Sequence, residues 1–354
     1  MELVAVIMAG GVGARFWPKS RAKNPKQLLN LFSESSMIQN TVDRMQGVVK
    51  NENIYVVTNK IQKEKIVEQL SELPEENIIE EPFGKNTAAA IGLASIIVKS
   101  KHENAVTIVL PADHLINDKE EFQRVIKEAA DFAYEDGALV TLGINPTRPD
   151  TGYGYIQIDE TEKDTLHKVL SFAEKPNLDT AKRFLESGDF FWNSGMFIWR
   201  VDVILNEIKS HMVDLYEGLQ IISDSLGTEN YEEVLTKIYG QLKSISIDYG
   251  IMENSKIVRL IKGKFDWSDV GSWDAVYHLL EKDKNENAAK GEVYFGNSSG
   301  TYVNSESKFT AVIGVKDLLV INTPDATLVC HRDYAQDVKL IVDHLKMNKK
   351  DELL

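Results

Sequence analysis

The sequence predicts an α/β protein with a mixed, mainly parallel sheet, followed by a small β-rich extension. Three observations carry this expectation. Short apolar runs alternate with amphipathic segments over the first 145 residues, the pattern of a largely parallel sheet covered by helices on both faces. A glycine-rich turn, Gly10-Gly11-Val12-Gly13, directly follows the first apolar run. Beyond about residue 284 the composition shifts to short β-like pieces punctuated by Gly291, Gly296 and Gly300.

Residues 3–8 are continuously apolar and read as a buried strand. Strands at 54–58, 106–110 and 139–143 follow the same rule, and clear helical periodicity places helices at 60–73 and 120–134. From about 150 to 280, strands at 155–159, 168–172 and 195–199 mix with several helices. The polar stretch 283–287 reads as a linker, and strands at 318–322 and 327–329 lead to a helix near 333–345. The division expected is a unit of residues 1–283, with halves 1–145 and 146–283, and an extension of 284–354. In such sheets ligands gather at the carboxyl ends of strands, where both the glycine turn and Pro111-Ala112-Asp113-His114 fall.

With 43% hydrophobic and 27% charged residues, the 354-residue chain has the balance of a soluble globular protein. Its net charge of −14 argues against general nucleic-acid binding. The longest weakly polar stretch, 88–98, falls short of the roughly 18 residues that a spanning helix needs, so no membrane partner is expected. A lone cysteine, Cys330, cannot make an internal disulfide or a cysteine zinc site, which fits a reducing, cytoplasmic compartment.

From Arg15 to Lys26 there are five cations in twelve residues and no acid, in an acidic chain. Gly10, Gly11 and Gly13 allow positive φ angles and close approach to peptide amides, as a nest for phosphate oxygens requires. Arg15 and Lys26 would neutralise charge that the backbone cannot. Phe16 stands where a dinucleotide fingerprint needs its third glycine, and no Gly-Lys-Ser/Thr is present, so two familiar phosphate loops are excluded. Asp113 and Asp269 are separated carboxylates of the kind that hold Mg²⁺ together with phosphates and water; capping of a helix is the alternative for Asp113. Glu174 and Lys175 adjoin at a strand end, where opposite facing lets them meet different parts of one ligand. Asn86 or Thr87 is placed to cap a helix. Glu81 or nearby carbonyls would offer acceptors to a purine with N–H donors, Asn193 reads as a contact or a turn residue, and His114 as a structural neighbour.

In motif order, Gly10 to Pro18 with Pro25-Lys26-Gln27 reads GGxGxRxxP…PKQ, followed by the PADH run at 111–114, Gly152-Tyr153-Gly154-Tyr155, Glu174-Lys175-Pro176, WNSGMF at 192–197, SIDYxxME at 246–253 and WxDVGxW at 267–273. Over about residues 4–340 this resembles the sugar-nucleotide pyrophosphorylases, specifically the mannose-1-phosphate guanylyltransferases. One departure is at 81–90, where Lys85 and Ala89 replace the family's Arg and Pro; Lys lacks the planar fork for a bidentate contact. The resemblance implies a Rossmann-like sheet of the nucleotidyltransferase type and a β-helix-like extension used for packing and dimer contacts, hence a homodimer. It implies transfer of GMP from GTP to α-D-mannose 1-phosphate with Mg²⁺ on Asp113 and Asp269 and no organic cofactor. Gly10, Gly11, Gly13, Glu81, Asn86 and Thr87 would bind nucleotide, and Arg15, Lys26 and Lys175 would act on phosphates. Gly154, Glu174, Lys175 and Asn193 would bind the sugar phosphate, with Asp248 and Glu253 as further candidates. Three alternatives stand beside it: another base or sugar 1-phosphate on the same scaffold; a catalytically silent sugar-nucleotide sensor, against which retention of Arg15, Lys26, Asp113 and Asp269 argues; and last a dehydrogenase on a dinucleotide fold, whose fingerprint Phe16 breaks.

Overall fold

The computed structural model describes residues 1–161 and 165–354. In chain order its strands begin with β1 (Leu3–Met8), β2 (Ile54–Asn59), β3 (Ile78–Glu81), β4 (Val106–Pro111), β5 (Leu115–Ile116), β6 (Leu139–Ile144), β7 (Tyr155–Ile158) and β8 (Leu166–Ala173). They continue with β9 (Phe190–Arg200), β10 (Val258–Gly263), β11 (Trp267–Ser268), β12 (Ala288–Gly296), β13 (Tyr302–Ile313), β14 (Leu318–Asn322) and β15 (Thr327–His331). The helices are α1 (Met37–Met45), α2 (Lys60–Gln69), α3 (Asn86–Lys101), α4 (Lys119–Asp136), α5 (Leu178–Ser187), α6 (Val201–His211), α7 (Val213–Asp224), α8 (Tyr231–Gln241), α9 (Trp273–Leu279) and α10 (Lys339–Met347).

The main sheet has the order β3-β2-β1-β4-β9-β6-β10-β8-β7. Its first four strands are mutually parallel, while β9 lies antiparallel between β4 and β6. Side chains alternate across a strand, so Ala5 and Ile7 of β1 enter one core with Val56, Ile108 and the α4 residues Phe122 and Ile126. Val4 and Val6 enter the opposite core with Leu93 of α3, Ile204 of α6, Leu219 of α7 and Tyr239 of α8. Register sets the site: Met8 is level with Val57 and with Pro111, so the glycine turn and the segment carrying Asp113 leave the sheet side by side.

In the extension, β12 and β13 are parallel although only residues 297–301 join them. A flat parallel pair needs a crossover of about a dozen residues, so the chain must coil. The corner is at Gly291, with φ of 100°, where a Cβ would lie 2.1 Å from the Ser305 carbonyl oxygen. The 283–287 stretch is an ordered turn rather than a free linker: the Asp283 carboxylate accepts from the Asn285 and Asn287 amides, 2.8 Å each. Downstream, the 333–345 helix is a 3₁₀ segment, Arg332–Val338, leading into α10. A third core joins the extension to the glycine turn, packing Phe16, Trp17, Val270 and Trp273 with Tyr302, Leu319 and Val338.

Candidate active site

A cavity of about 530 Å³ opens at the carboxyl ends of β1, β3 and β4. Its wall combines Gly10, Gly11, Glu81, Asn86 and Thr87 with Gly154, Glu174, Lys175, Asn193, Asp248 and Asp269.

Of the three loop glycines, only Gly13 adopts a positive φ, 66°. A Cβ there would strike Lys26 Cβ at 2.5 Å, so this glycine serves both conformation and close packing. Gly10 serves space alone, since its Cβ would lie 3.2 Å from Glu81 Oε1, and Gly11 has nothing within 4 Å. The amides of Gly10 to Gly13 find no acceptor among the described residues, which leaves them free for an anion. The loop is held from behind by Gln27, whose amide donates to the Ala9 and Gly11 carbonyls at 2.8 and 3.0 Å.

The basic run divides by role. Lys19 pairs with Glu306 and Arg21 with Asp325 at 3.1 Å, both in the extension. Arg15 is exposed and unpaired among the described residues. Lys26 is buried: its ammonium donates to Asp113 Oδ2 at 2.9 Å and to the Asp269 carbonyl at 2.6 Å. It thus binds the two acid-bearing segments together, and does not line the cavity.

Asp113 and Asp269 are brought together by the β5–β11 pairing, in which Leu115 opposes Ser268. Asp113 caps no helix; α4 is capped by Asp118. Burial is the largest influence on Asp113 and opposes its ionisation, but the charge and hydrogen bond of Lys26, together with His114 and a backbone hydrogen bond, hold the carboxyl below its ordinary range. Asp269 is presented by strained backbone, because Val270 has φ of 47°, a region that β-branched residues avoid. Tyr153 donates to Asp269 Oδ1 at 2.7 Å from within a cluster of Trp192 and Trp267 rings. Burial and then the Asp269 charge push the Tyr153 phenol well above its usual pKa, keeping it a donor. Burial lowers the His114 pKa to about 4, so the neutral ring accepts from Trp267 Nε1 at 3.2 Å. Two hard carboxylates fit a divalent cation that completes its shell with phosphate and water. Among the described residues no cluster of three or more acids, histidines or cysteines makes an all-protein metal site.

At the α3 end, neither Asn86 nor Thr87 caps the helix. Lys85 is at the N-cap and makes no side-chain cap bond. Asn86 has φ of 66° and its Oδ1 accepts from the Thr87 amide at 2.8 Å, while Thr87 Oγ1 is engaged by the Ile247 amide at 2.8 Å. Glu81 is buried, which raises its carboxyl pKa against the opposing hydrogen bond from Tyr239.

At the other end, Glu174 and Lys175 pair with each other instead of facing apart. They lie beyond β8, and φ of 44° at Lys175 folds the chain back so that strand alternation no longer applies. A Cβ on Gly154 would meet Glu174 Oε2 at 2.7 Å, so a larger residue there would displace that carboxylate. Asn193 is a strand residue of β9, not a turn residue, and donates to Asp248 Oδ1 at 2.7 Å. Burial pushes the Asp248 carboxyl up despite that bond. Glu253 is exposed and does not line the cavity. Sequence reasoning missed Tyr153, although it lies inside Gly152-Tyr153-Gly154, and Arg44, which donates to the His114 carbonyl at 3.1 Å. It also missed Tyr239, which no local signal joins to Glu81.

Among the described residues, no helix is long and apolar enough to cross a membrane. A family profile described as nucleotidyl transferase matches residues 4–286, and one described as MannoseP isomerase/GMP-like beta-helix domain matches 293–345. A mannose-1-phosphate guanylyltransferase of Klebsiella pneumoniae is 39% identical over 356 residues, covering 99% of this chain and 75% of its own. A namesake from Escherichia coli (strain K12) is 38% identical over 360 residues, with 99% and 75% covered. A solved structure from Thermus thermophilus, described as a mannose-1-phosphate geranyltransferase, superposes with a TM-score of 0.88 at 31% identity, covering 98% of this chain and all of its own. Nucleotidyltransferases of this type generally use a divalent metal, as the paired carboxylates would allow. The chain is thus a member of the nucleotidyl transferase family, on the branch that holds the mannose-1-phosphate guanylyltransferases.

Proposed function

We propose that this chain transfers GMP from GTP to α-D-mannose 1-phosphate, giving GDP-mannose and pyrophosphate. A phosphate oxygen of the sugar phosphate attacks the α-phosphorus in line. The new P–O bond forms as the bond to the bridging oxygen of the β-phosphate breaks, and pyrophosphate leaves with the electron pair. No covalent enzyme intermediate is required, so the protein's task is positioning and electrostatics. The observation that carries this reading is one cavity in which free loop amides and Glu81 meet Glu174, Lys175 and Asn193. Its volume, about 530 Å³, lies within the usual range for small-molecule sites.

In this reading the amides of Gly10 to Gly13 and the free Arg15 hold the triphosphate. Lys26 orients Asp113 and offsets local negative charge. Glu174 and Asn193 take sugar hydroxyls, and Lys175 reduces repulsion between the two anions. A divalent ion, Mg²⁺, would be held by Asp113 and Asp269 and would neutralise phosphate charge. Residues 1–283 act as the catalytic unit, with nucleotide and sugar-phosphate halves meeting near residue 145. Residues 284–354 form an extension for packing and homodimer contacts, to which the exposed Tyr294, Phe309 and Ile313 would contribute. The enzyme would work in the cytoplasm. The test is pyrophosphate release with GTP, ATP, UTP, CTP and dTTP, each paired with mannose and glucose 1-phosphates. GTP with mannose 1-phosphate should give the highest kcat/KM, and preference for another pair would reassign the substrates.

A further inference from the structure

Glu81 and Tyr239 are 158 positions apart and meet in the interior: the Tyr239 hydroxyl donates to Glu81 Oε2 at 2.5 Å. Tyr239 is fully buried on α8, so its ring cannot follow a moving carboxylate. The other oxygen, Oε1, lies 3.2 Å from where a Cβ on Gly10 would stand, on the cavity side. The same turn of α8 grips the rest of the segment. The Gly240 carbonyl accepts from Lys85 Nζ at 2.7 Å, and a Cβ on Gly240 would meet the Phe83 ring at 3.2 Å. Downstream of α8, the Ile247 amide and Ile245 carbonyl engage Thr87 and Ala88 at 2.8 and 3.2 Å. The stretch 81–88 is therefore clamped along its length by 239–247.

We infer that Tyr239 is a positioning residue for base selection, fixing the Glu81 carboxylate so that Oε1 accepts N–H donors from a purine edge. Guanine presents N1–H and an exocyclic amine there, whereas adenine presents a lone pair at N1, which faces a carboxylate unfavourably. A site built to receive a donor rejects an analogue that lacks it because the buried acceptor is left unpaired. This rests on the reading of the site as nucleotide-binding.

The experiment is equilibrium binding of GTP and ATP, without sugar phosphate, to wild type, Tyr239→Phe and Glu81→Gln, with melting temperature as a check on folding. Tyr239→Phe should weaken GTP binding about tenfold and ATP binding less than twofold, compressing the preference without replacing the reader. Glu81→Gln should compress it further. An equal loss for both nucleotides, or no loss for either, in a folded Tyr239→Phe protein would overturn the role. A wild type that binds GTP and ATP equally yet transfers GMP to mannose 1-phosphate would sink base reading by Glu81 and leave the proposed reaction standing. Selective, Tyr239-dependent GTP binding without transfer would do the reverse.

Discussion

At the acid end of the cavity, Lys26 joins Asp113 and the Asp269 carbonyl with its side chain only 5% exposed, whereas at the sugar end Lys175 pairs with its neighbour Glu174 and is 61% exposed. The first network draws on three distant parts of the chain and is braced by the extension through Phe16, Trp17 and Trp273. The second is made largely by adjacent residues. An interaction ordered by surrounding packing loses little further entropy when a ligand arrives, while an exposed pair is free to exchange partners. The acid end is therefore suited to holding a fixed arrangement of charge, and the sugar end to yielding its lysine to an incoming phosphate.

The largest effect should come from the acids. Asp113→Ala or Asp269→Ala should lower kcat by about 10³-fold with the fold retained, since each removes oriented charge from the reacting phosphates. Near-normal turnover in excess Mg²⁺ would detach that residue from the chemistry. Lys175→Ala should raise the KM for mannose 1-phosphate about tenfold and lower kcat, with GTP binding unchanged. A loss confined to GTP affinity would show that the two ends are not divided as described.

How far the sequence disclosed this contrast depends on the distance over which each contact is made. Strand β1 is legible because six apolar residues run together, and α4 because its apolar face repeats at helical spacing. By contrast, β3 ends in two acids and β10 is interrupted by Arg259 and Lys262, so short charged strands escape the apolar rule. Strand register brings the motif-bearing ends level, so Gly10, Gly11, Glu81, Glu174, Lys175 and Asp269 line one cavity, whereas Arg15, Lys26, Asp113 and Glu253 do not line it. Cation roles were not legible: Lys19 and Arg21 turn to partners 287 and 304 residues away, which charge density in a window cannot reveal. The Glu174–Lys175 pairing depended on a positive φ at a non-glycine residue, which carries no compositional mark.

A smaller effect sharpens the acid end. Tyr153→Phe should reduce kcat severalfold at limiting metal and recover partly in excess Mg²⁺, because the phenol orients Asp269 without itself supplying charge. Failure of excess metal to restore any activity would place Tyr153 outside that role. Smaller still is a pH effect on stability. His114 titrates at about 4 in the folded chain against an ordinary 6.5, so the unfolded chain binds the extra proton between these values. Stability contributed by this group is therefore present above about 6.5 and is lost as pH falls towards 4. His114→Gln should reduce the proton uptake on unfolding near pH 5 by about one. An unchanged pH dependence of urea midpoints would show that the ring is not held neutral.

The most direct test of the account is initial-velocity pyrophosphate release with GTP and mannose 1-phosphate varied together. A fixed acid end and a yielding sugar end on one cavity require both substrates to be bound before chemistry. Intersecting double-reciprocal lines are predicted, with no burst of pyrophosphate from GTP alone. Parallel lines, or a stoichiometric burst without sugar phosphate, would mean a covalent enzyme intermediate and would contradict the account.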